Sequence, residues 1–287
     1  MINLLTLFSG IGAPEKALKN LKIDYKLIGF SEIDKPAIKS YTKIHGVPEE
    51  KNFGDINNYA DWDIKEKIDL IVYGFPCLDI SLSGHCKGLF NNDGSLTRSG
   101  LFFKALGVIE KHKPKVAIAE NVKNLTSKKF KEQFEIVLNS LEAAGYNNYW
   151  KVLNAADFGV PQKRERVFIV SIRKDIDNGL FEFPDIYNSD KRIIDIMDSD
   201  VDKKYYMNKP LTLLKGYDSN VIDNDMKVIG KMNFKGMDIV KRVYSIYGVC
   251  PTLTTMQGGH RQPKILINED GEWKVRKLNP KECFRLM

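Results

Sequence analysis

At 287 residues the chain is long enough to bury a sizeable core, as one large domain or as two of unequal size. Its 43% hydrophobic and 28% charged content exclude a disordered or fibrous chain, and no apolar run approaches the length of a membrane span. Lys and Arg outnumber Asp and Glu by seven (44 against 37), a modest excess that favours an anionic partner. The four cysteines, Cys77, Cys86, Cys250 and Cys283, show neither Cys-x-x-Cys pairing nor metal-site spacing, and the start of the chain lacks the basic flank of a signal peptide. The expectation is a reducing, cytoplasmic protein without a metal.

Residues 2–8 read as an apolar strand that runs into Ser9-Gly10-Ile11-Gly12-Ala13-Pro14, and a helix pattern follows with Ala17, Leu18 and Leu21 on one side. A strand, a glycine turn and a helix start leave N–H groups facing outward, which suits a cofactor backbone or an anion. The full dinucleotide fingerprint Gly-x-Gly-x-x-Gly is missing, so this signal is weak by itself. A second strand, Tyr25 to Phe30, ends at Ser31-Glu32-Ile33-Asp34. An acid there can accept both hydroxyls of a ribose, although spacing alone leaves Glu32 equally a helix-start charge. Gly54-Asp55-Ile56 is a turn placed where an adenine ring could be met.

Ile68 to Tyr73 is a short apolar run of the kind a buried parallel strand makes. Gly74 and Pro76 stop it in a rigid turn that delivers the Cys77 thiol to a loop rich in small residues, among them Ser81, Ser83, Gly84 and Gly88. A thiol at the carboxyl end of a parallel strand lies where open α/β sheets bind ligands, whereas most lone cysteines are buried and inert. A helix over about 100–113 ends at Pro114, and the strand Lys115 to Ala119 ends at Glu120-Asn121-Val122, leaving a poorly solvated carboxylate at a strand end. A helix over about 129–144 follows. Lys151 to Asn154 and Arg166 to Ile172 then read as strands around Gln162-Lys163-Arg164-Glu165-Arg166. This alternation predicts a doubly wound α/β sheet with its functional turns on one edge.

From about Lys174 the periodicities weaken and Asp, Asn, Lys and Tyr become dense, so 176–274 reads as a smaller, mostly β domain. Its most legible stretch runs from Tyr247 through Thr252, Thr254 and Gln257 to His260 and Arg261. Two glycines among Thr, Gln, His and Arg suit loops that reach a nucleic-acid groove, and a plain hairpin loop fits them equally.

Taken in order, Phe8-Ser9-Gly10-Ile11-Gly12, Glu32, Gly54-Asp55-Ile56, Gly74-Phe75-Pro76-Cys77, Glu120-Asn121-Val122, Gln162-Lys163-Arg164-Glu165-Arg166 and the Arg276-x-Leu278-x-x-x-Glu282 box resemble the bacterial and phage DNA (cytosine-5)-methyltransferases over essentially the whole chain. The resemblance implies a Rossmann-like domain (1–175) binding S-adenosylmethionine, a target-recognition domain (176–274), and a return to the catalytic domain from 275. It implies that Phe8, Ser9, Gly10, Ile11, Gly12, Ile33, Ile56, Gly74, Pro76 and Leu101 line the cofactor, that Glu32 binds its ribose and that Asp55 meets its adenine. Cys77 would be the nucleophile, Glu120 the group on cytosine N3, and Arg166 and Arg164 would hold the base oxygen, the loop or a phosphate. Double-stranded DNA would meet Ser81, Ser83, Gln162, Arg164, Thr252, Thr254, Gln257 and Arg261, with the target base flipped out. A monomer serving restriction-modification or phage self-protection is the implied setting.

Leu78, Ile80 and Thr6 depart from the family's usual Gln, Phe and Asp. The Asn-x-Val element and helix that close the cofactor pocket in the family are not found after Glu282, so a further segment, in cis or as a separate chain, is expected to complete the pocket. Two alternatives stand beside the DNA enzyme: a tRNA cytosine-5 methyltransferase, against which Gly74-Phe75-Pro76-Cys77 argues, and an inactive DNA-binding fragment, against which Cys77, Glu120 and Arg166 argue.

Overall fold

The computed structural model describes residues 1–77, 79–80, 87–187, 189–215, 225–254, 258 and 260–287. Contacts divide the chain into two compact units, Met1–Leu153 with Arg166–Phe183, and Asn154–Glu165 with Pro184–Met287.

The first unit is built on strands β1 (Ile2–Leu7), β2 (Tyr25–Ser31), β3 (Leu70–Tyr73), β4 (Val116–Val122), β5 (Tyr146–Asn154) and, after a two-residue β6 (Gln162–Lys163) of the second unit, β7 (Glu165–Arg173). Helices α1 (Ala13–Asn20), α2 (Lys35–His45), α3 (Phe102–His112) and α4 (Lys131–Ala143) connect them. The sheet order is β2-β1-β3-β4-β7-β5, with β1 parallel to β2 and β3, β3 parallel to β4, and β7 antiparallel to β4. The expected doubly wound α/β sheet is therefore present, as a mixed rather than an all-parallel sheet. Strand order reverses beside β1, which puts the crevice of an open α/β sheet at the carboxyl ends of β1 and β3.

Side-chain alternation explains the layers. Leu5, Leu7, Ile71, Tyr73, Ala117 and Ala119 point into one core with Phe102, Ile109, Val137 and Leu141 of α3 and α4. Thr6, between Leu5 and Leu7, faces the other way and bonds Glu15 of α1. Phe30, Ile38 and Tyr41 make a smaller cluster where α2 packs. Local chemistry sets the helix ends: the Asp34 carboxylate accepts from Ala37 N at 3.0 Å, and α2 stops at Gly46, φ 65°. β4 runs on to Val122 where the sequence suggested an end at Ala119, because Glu120, Asn121 and Val122 pair with Phe168, Val167 and Arg166.

The second unit holds β6 and a five-stranded sheet, made by β8 (Leu211–Leu213), β9 (Val228–Met232), β10 (Arg242–Ser245), β12 (Lys264–Glu269) and β13 (Glu272–Lys277) in the order β13-β12-β10-β9-β8. The short β11 (Cys250–Pro251) pairs with β6, and the helices are α5 (Asp238–Lys241) and α6 (Pro280–Phe284). Boundaries at 175 and 274 differ from this division at three places, the first being that residues 176–183 stay with the first unit. Residues 154–165 join the second unit through the β6–β11 pair. Residues 275–287 stay in it because β13 completes a hairpin with β12 and Arg276 forms a buried ion pair with Glu282.

Candidate active site

Five residues after β1 form a tight turn in which Phe8, Gly10 and Gly12 are all left-handed, with φ of 53°, 54° and 83°. Phe8 carries a Cβ in that region, a strain of roughly 1–3 kcal/mol that surrounding bonds must hold. Gly12 N donates to Ser9 O at 2.9 Å, Ser9 N to Ser31 O at 3.1 Å, and Gly10 N to Glu32 Oε2 at 2.8 Å. The other Glu32 oxygen accepts from Ile33 N and Asp34 N at 2.8 and 2.9 Å, so the carboxylate is locked at the end of β2. Asn52 fixes the next turn: its Oδ1 accepts from both Glu32 N and Gly54 N, and its Nδ2 donates to Glu32 O. Ser31 Oγ donates to Gly54 O at 2.7 Å. Asp55 is exposed and uses Oδ1 to cap the turn beginning at Ile56, which is buried, whereas Ile33 is an apolar side chain left 69% exposed beside Glu32.

At the end of β3, Phe75 is buried while Pro76 and Cys77 are half-buried. Gly74 lies against Glu120: a Cβ on it would stand 3.4 Å from Glu120 Oε2. Asn121, 2% exposed, donates from Nδ2 to Phe75 O at 3.0 Å and so grips the peptide ahead of Pro76. Ile80 N donates to Cys77 O at 3.0 Å, and Asn124 Nδ2 donates to Ile80 O. Asp79 N reaches Ser99 Oγ at 3.3 Å, just before the half-buried Leu101. Arg166 comes from β7, whose antiparallel register places it opposite Val122, and its Nε meets Glu120 Oε1 at 2.9 Å. The carboxylate at the end of β4 is thus neutralised by a guanidinium rather than left isolated.

Arg164 belongs to the second unit, where its backbone N donates to Asn154 Oδ1 and its O accepts from Ala155 N. Gln162 is 1% exposed and spans that unit's interior, donating to Leu286 O at 2.6 Å and accepting from Leu253 N at 3.2 Å. A phosphate contact by Gln162 would require breaking both bonds, so its side chain is committed to the fold. Thr252 donates its hydroxyl to Lys163 O, while Thr254 and Arg261 are exposed. Leu78, Ser81, Ser83 and Gln257 lie outside the described residues. Sequence reading assigned nothing to Asn52, Asn121 or Asn124. The available signal was an amide two residues before the Gly54 turn and two amides in and after the Glu120 motif.

Solved structures share this fold. Methyltransferase EhMeth of Entamoeba histolytica superposes with a TM-score of 0.69 at 17% identity, covering 100% of this chain and 85% of that one. The Dnmt2 methyltransferase of S. pombe gives 0.63 at 17% identity, covering 100% and 86%. At such identities the likeness speaks to the fold alone. The family described as C-5 cytosine-specific DNA methylase matches residues 2–287, and the chain belongs to it. It is 33% identical over 390 residues to the orphan methyltransferase M.SPBetaI of Bacillus phage SPbeta, covering 99% of this chain and 88% of the relative. It is 31% identical over 290 residues to the type II methyltransferase M.HhaI of Haemophilus parahaemolyticus, covering 100% and 83%. The chain is accordingly a DNA cytosine-5 methyltransferase by family. No helix among the described residues is long and apolar enough to cross a membrane.

Proposed function

We propose that this enzyme methylates C5 of a cytosine turned out of duplex DNA, through a covalent bond between Cys77 Sγ and C6 of the base. The observation that carries this reading is the shared anchoring of two turns at adjacent strand ends. The Cys77 turn is gripped by Asn121, and the Glu120–Arg166 ion pair lies against Gly74, three residues before the thiol.

S-adenosylmethionine fits the first three turns. The space above Gly10 and above Gly54 is open where a Cβ would stand. Glu32 Oε2, with one bond from Gly10, keeps a lone pair for a ribose hydroxyl, and Asp55 Oδ2 remains for an adenine amino group. When bound, this cofactor supplies an electrophilic methyl group. Cytosine C5 is too weak a nucleophile to take it unaided. Addition of the Cys77 thiolate to C6 pushes electrons through the ring and makes C5 enamine-like. Glu120, oriented by Arg166, would pass a proton to N3 as negative charge reaches it and take it back when Cys77 leaves, and Arg166 would donate to the base oxygen. Loss of the C5 proton restores the double bond and expels Cys77. Attack at C6 needs the ring face exposed, so the base must leave the stack.

Recognition of the DNA sequence is assigned to the second unit, with Thr254 and Arg261 as exposed candidates and Thr252 holding the loop. The relatives are named orphan and type II methyltransferases, and protection of host or phage DNA is the biological role we infer for this chain.

Duplex DNA carrying 5-fluorocytosine decides the chemistry, because fluorine cannot leave as the C5 proton does. The parent should form a denaturation-resistant adduct and Cys77→Ala should form none while still binding the cofactor. An adduct that survives Cys77→Ala would sink the assignment, and methyl transfer to tRNA but not to DNA would overturn the substrate.

A further inference from the structure

Behind the strained 8–12 turn lies a buried polar network that no step of the reaction uses. Glu15, in the first turn of α1, is 0% exposed. Its Oε1 accepts from Thr6 Oγ1 at 2.8 Å and from Tyr41 Oη at 2.6 Å. Ser9 Oγ, inside the turn, donates to Thr6 Oγ1 at 3.0 Å. Thr6 and Tyr41 both give to Glu15, which leaves Thr6 Oγ1 as an acceptor for Ser9 at 3.0 Å, the shorter of the two contacts of Ser9 Oγ, the other being Ser31 O at 3.3 Å. Glu15 Oε2 is buried with no hydrogen-bond partner, and no ion pair to Glu15 exists among the described residues. Such a carboxylate is costly to bury, and a Met or Leu would fill the same volume without that cost. Packing therefore does not explain it.

What it does is determine which way two hydroxyls point. Tyr41 is itself fully buried and stacked on Phe30 at 4.0 Å, and both burial and the adjacent Glu15 hold its hydroxyl in the protonated, donating form. One turn further along α2, His45 Nε2 stands 2.9 Å from Ile11 O, and a Cβ at Gly12 would come within 2.2 Å of it. The inner side of the turn is thus buttressed from both helices, while Glu32 holds its outer edge.

We propose that Glu15 is a positioning residue for cofactor binding: by accepting from Thr6 it aligns Thr6 for Ser9, and so presets the 8–12 turn before the cofactor arrives. Without the acceptor, the Thr6 hydroxyl is left between Tyr41 and Ser9, its orientation toward Ser9 is no longer set, and the inner anchor of the turn is weakened. The inference rests on the reading of this turn as the S-adenosylmethionine site, and it concerns preorganisation rather than contact.

Calorimetric titration with S-adenosylmethionine, thermal unfolding without ligand, and kcat at saturating cofactor test it together. Glu15→Gln keeps an oxygen acceptor and should bind within about twofold of the parent, while Glu15→Met should weaken binding about tenfold, the worth of one net hydrogen bond. Its kcat at saturation should stay near the parent's. Thr6→Val cuts the link to Ser9 but leaves Tyr41–Glu15, and should reproduce the loss of affinity even if Glu15→Met fails to fold. Parent-like affinity in Thr6→Val, or a Glu15→Gln no better than Glu15→Met, would overturn the proposal, the second by showing that charge and not alignment matters. Lowered kcat and melting temperature with unchanged affinity would also overturn it. Glu32→Ala is the control for the underlying reading: parent-like cofactor affinity in that variant would move the cofactor site elsewhere, whatever Glu15 does.

Discussion

Asn121 gives its amide to Phe75 O while 2% exposed, so the peptide leading into Pro76 and Cys77 is held by a side chain of the neighbouring strand. Asn121→Leu removes the donor and leaves a carbonyl unpaired, at a cost of about 1–3 kcal/mol. The expected outcome is a lower urea midpoint and a single-turnover methylation rate reduced at least about tenfold, because the thiol is no longer fixed for attack. Cofactor affinity should fall much less than the rate, since Asn121 reaches only the Gly74–Pro76 turn and none of the 8–12, Glu32 or Asp55 turns. Equal losses of affinity and rate would instead mark general unfolding. Glu120→Gln is a different experiment at the same strand end. It keeps the shape and removes the group assigned to N3, and methyl transfer should fall by roughly 10²–10⁴ with DNA binding retained. Arg166→Lys keeps the charge but not the planar Nε contact at 2.9 Å, and should give a smaller loss of rate of the same kind.

The elements of the second unit are tied by ions as much as by apolar packing. Glu282, 0% exposed on α6, accepts from Arg276 Nη1 and Nη2 at 2.8 and 2.7 Å, from Asn279 N at 2.8 Å and from Asp198 N at 2.9 Å. Glu282→Ala strands the Arg276 guanidinium inside β13, and urea denaturation should show a loss of about 3–5 kcal/mol. Asp198 beside them is held down to about 2, first by the Asn279 amide and then by Arg285. Its pKa in an unfolded chain is about 3.9, so its stabilisation is complete above that value and lost as pH falls towards 2. Melting temperatures of parent and Asp198→Asn should therefore converge between about pH 4 and pH 2.

Lys264 has the opposite sign. Burial, then Lys277, lowers it to about 8, while its Nζ donates to His260 O and Gln262 O. The unfolded chain holds this proton up to about pH 10.4, so stability should rise with pH between about 8 and 10 relative to Lys264→Met. A parallel pH profile in the two proteins would contradict it.

At the scale of the molecule, an excess of seven basic residues and a DNA-methylating family lead to a salt prediction. Each phosphate neutralised contributes a slope of about −0.9 to the log–log dependence of DNA affinity on salt. Fluorescence anisotropy at several salt concentrations should show that steep fall, whereas cofactor titration in the same buffers should not. Reading of bases should separate from chemistry in the same way. Arg261→Ala removes an exposed guanidinium, and a lost bidentate base contact costs about 1–3 kcal/mol of discrimination. Bisulfite sequencing should then reveal relaxed or lost methylation at one base pair of the site, with S-adenosylmethionine binding unchanged. An unaltered methylation pattern and rate would remove Arg261 from the readers.

Local sequence was enough to place the turns. Each is a short apolar strand broken by glycine, proline or a polar cluster, and the physics that ends a strand acts within a few residues. So the ends of β1, β2 and β3 were legible as the places of Gly10, Glu32 and Cys77, whereas β4 runs past Glu120 to Val122 because β7 pairs with it. Alternation of strands with helices likewise determined the α/β class, because burial on both faces leaves continuous apolar runs. What the tertiary structure alone decided was everything that depends on which strand ends lie side by side. β7 enters antiparallel beside β4, and only that register brings Arg166 to Glu120. Asn52 and Asn121 acquire roles through carbonyls and amides supplied by other segments, and Gln162 is drawn inside by Leu286. The same holds for Glu15, which reads as an ordinary acidic residue in the first turn of a helix until Thr6 and Tyr41 close over it. A buried polar group must find partners wherever the chain's packing provides them, and that packing is set by long-range strand pairing rather than by the residues on either side.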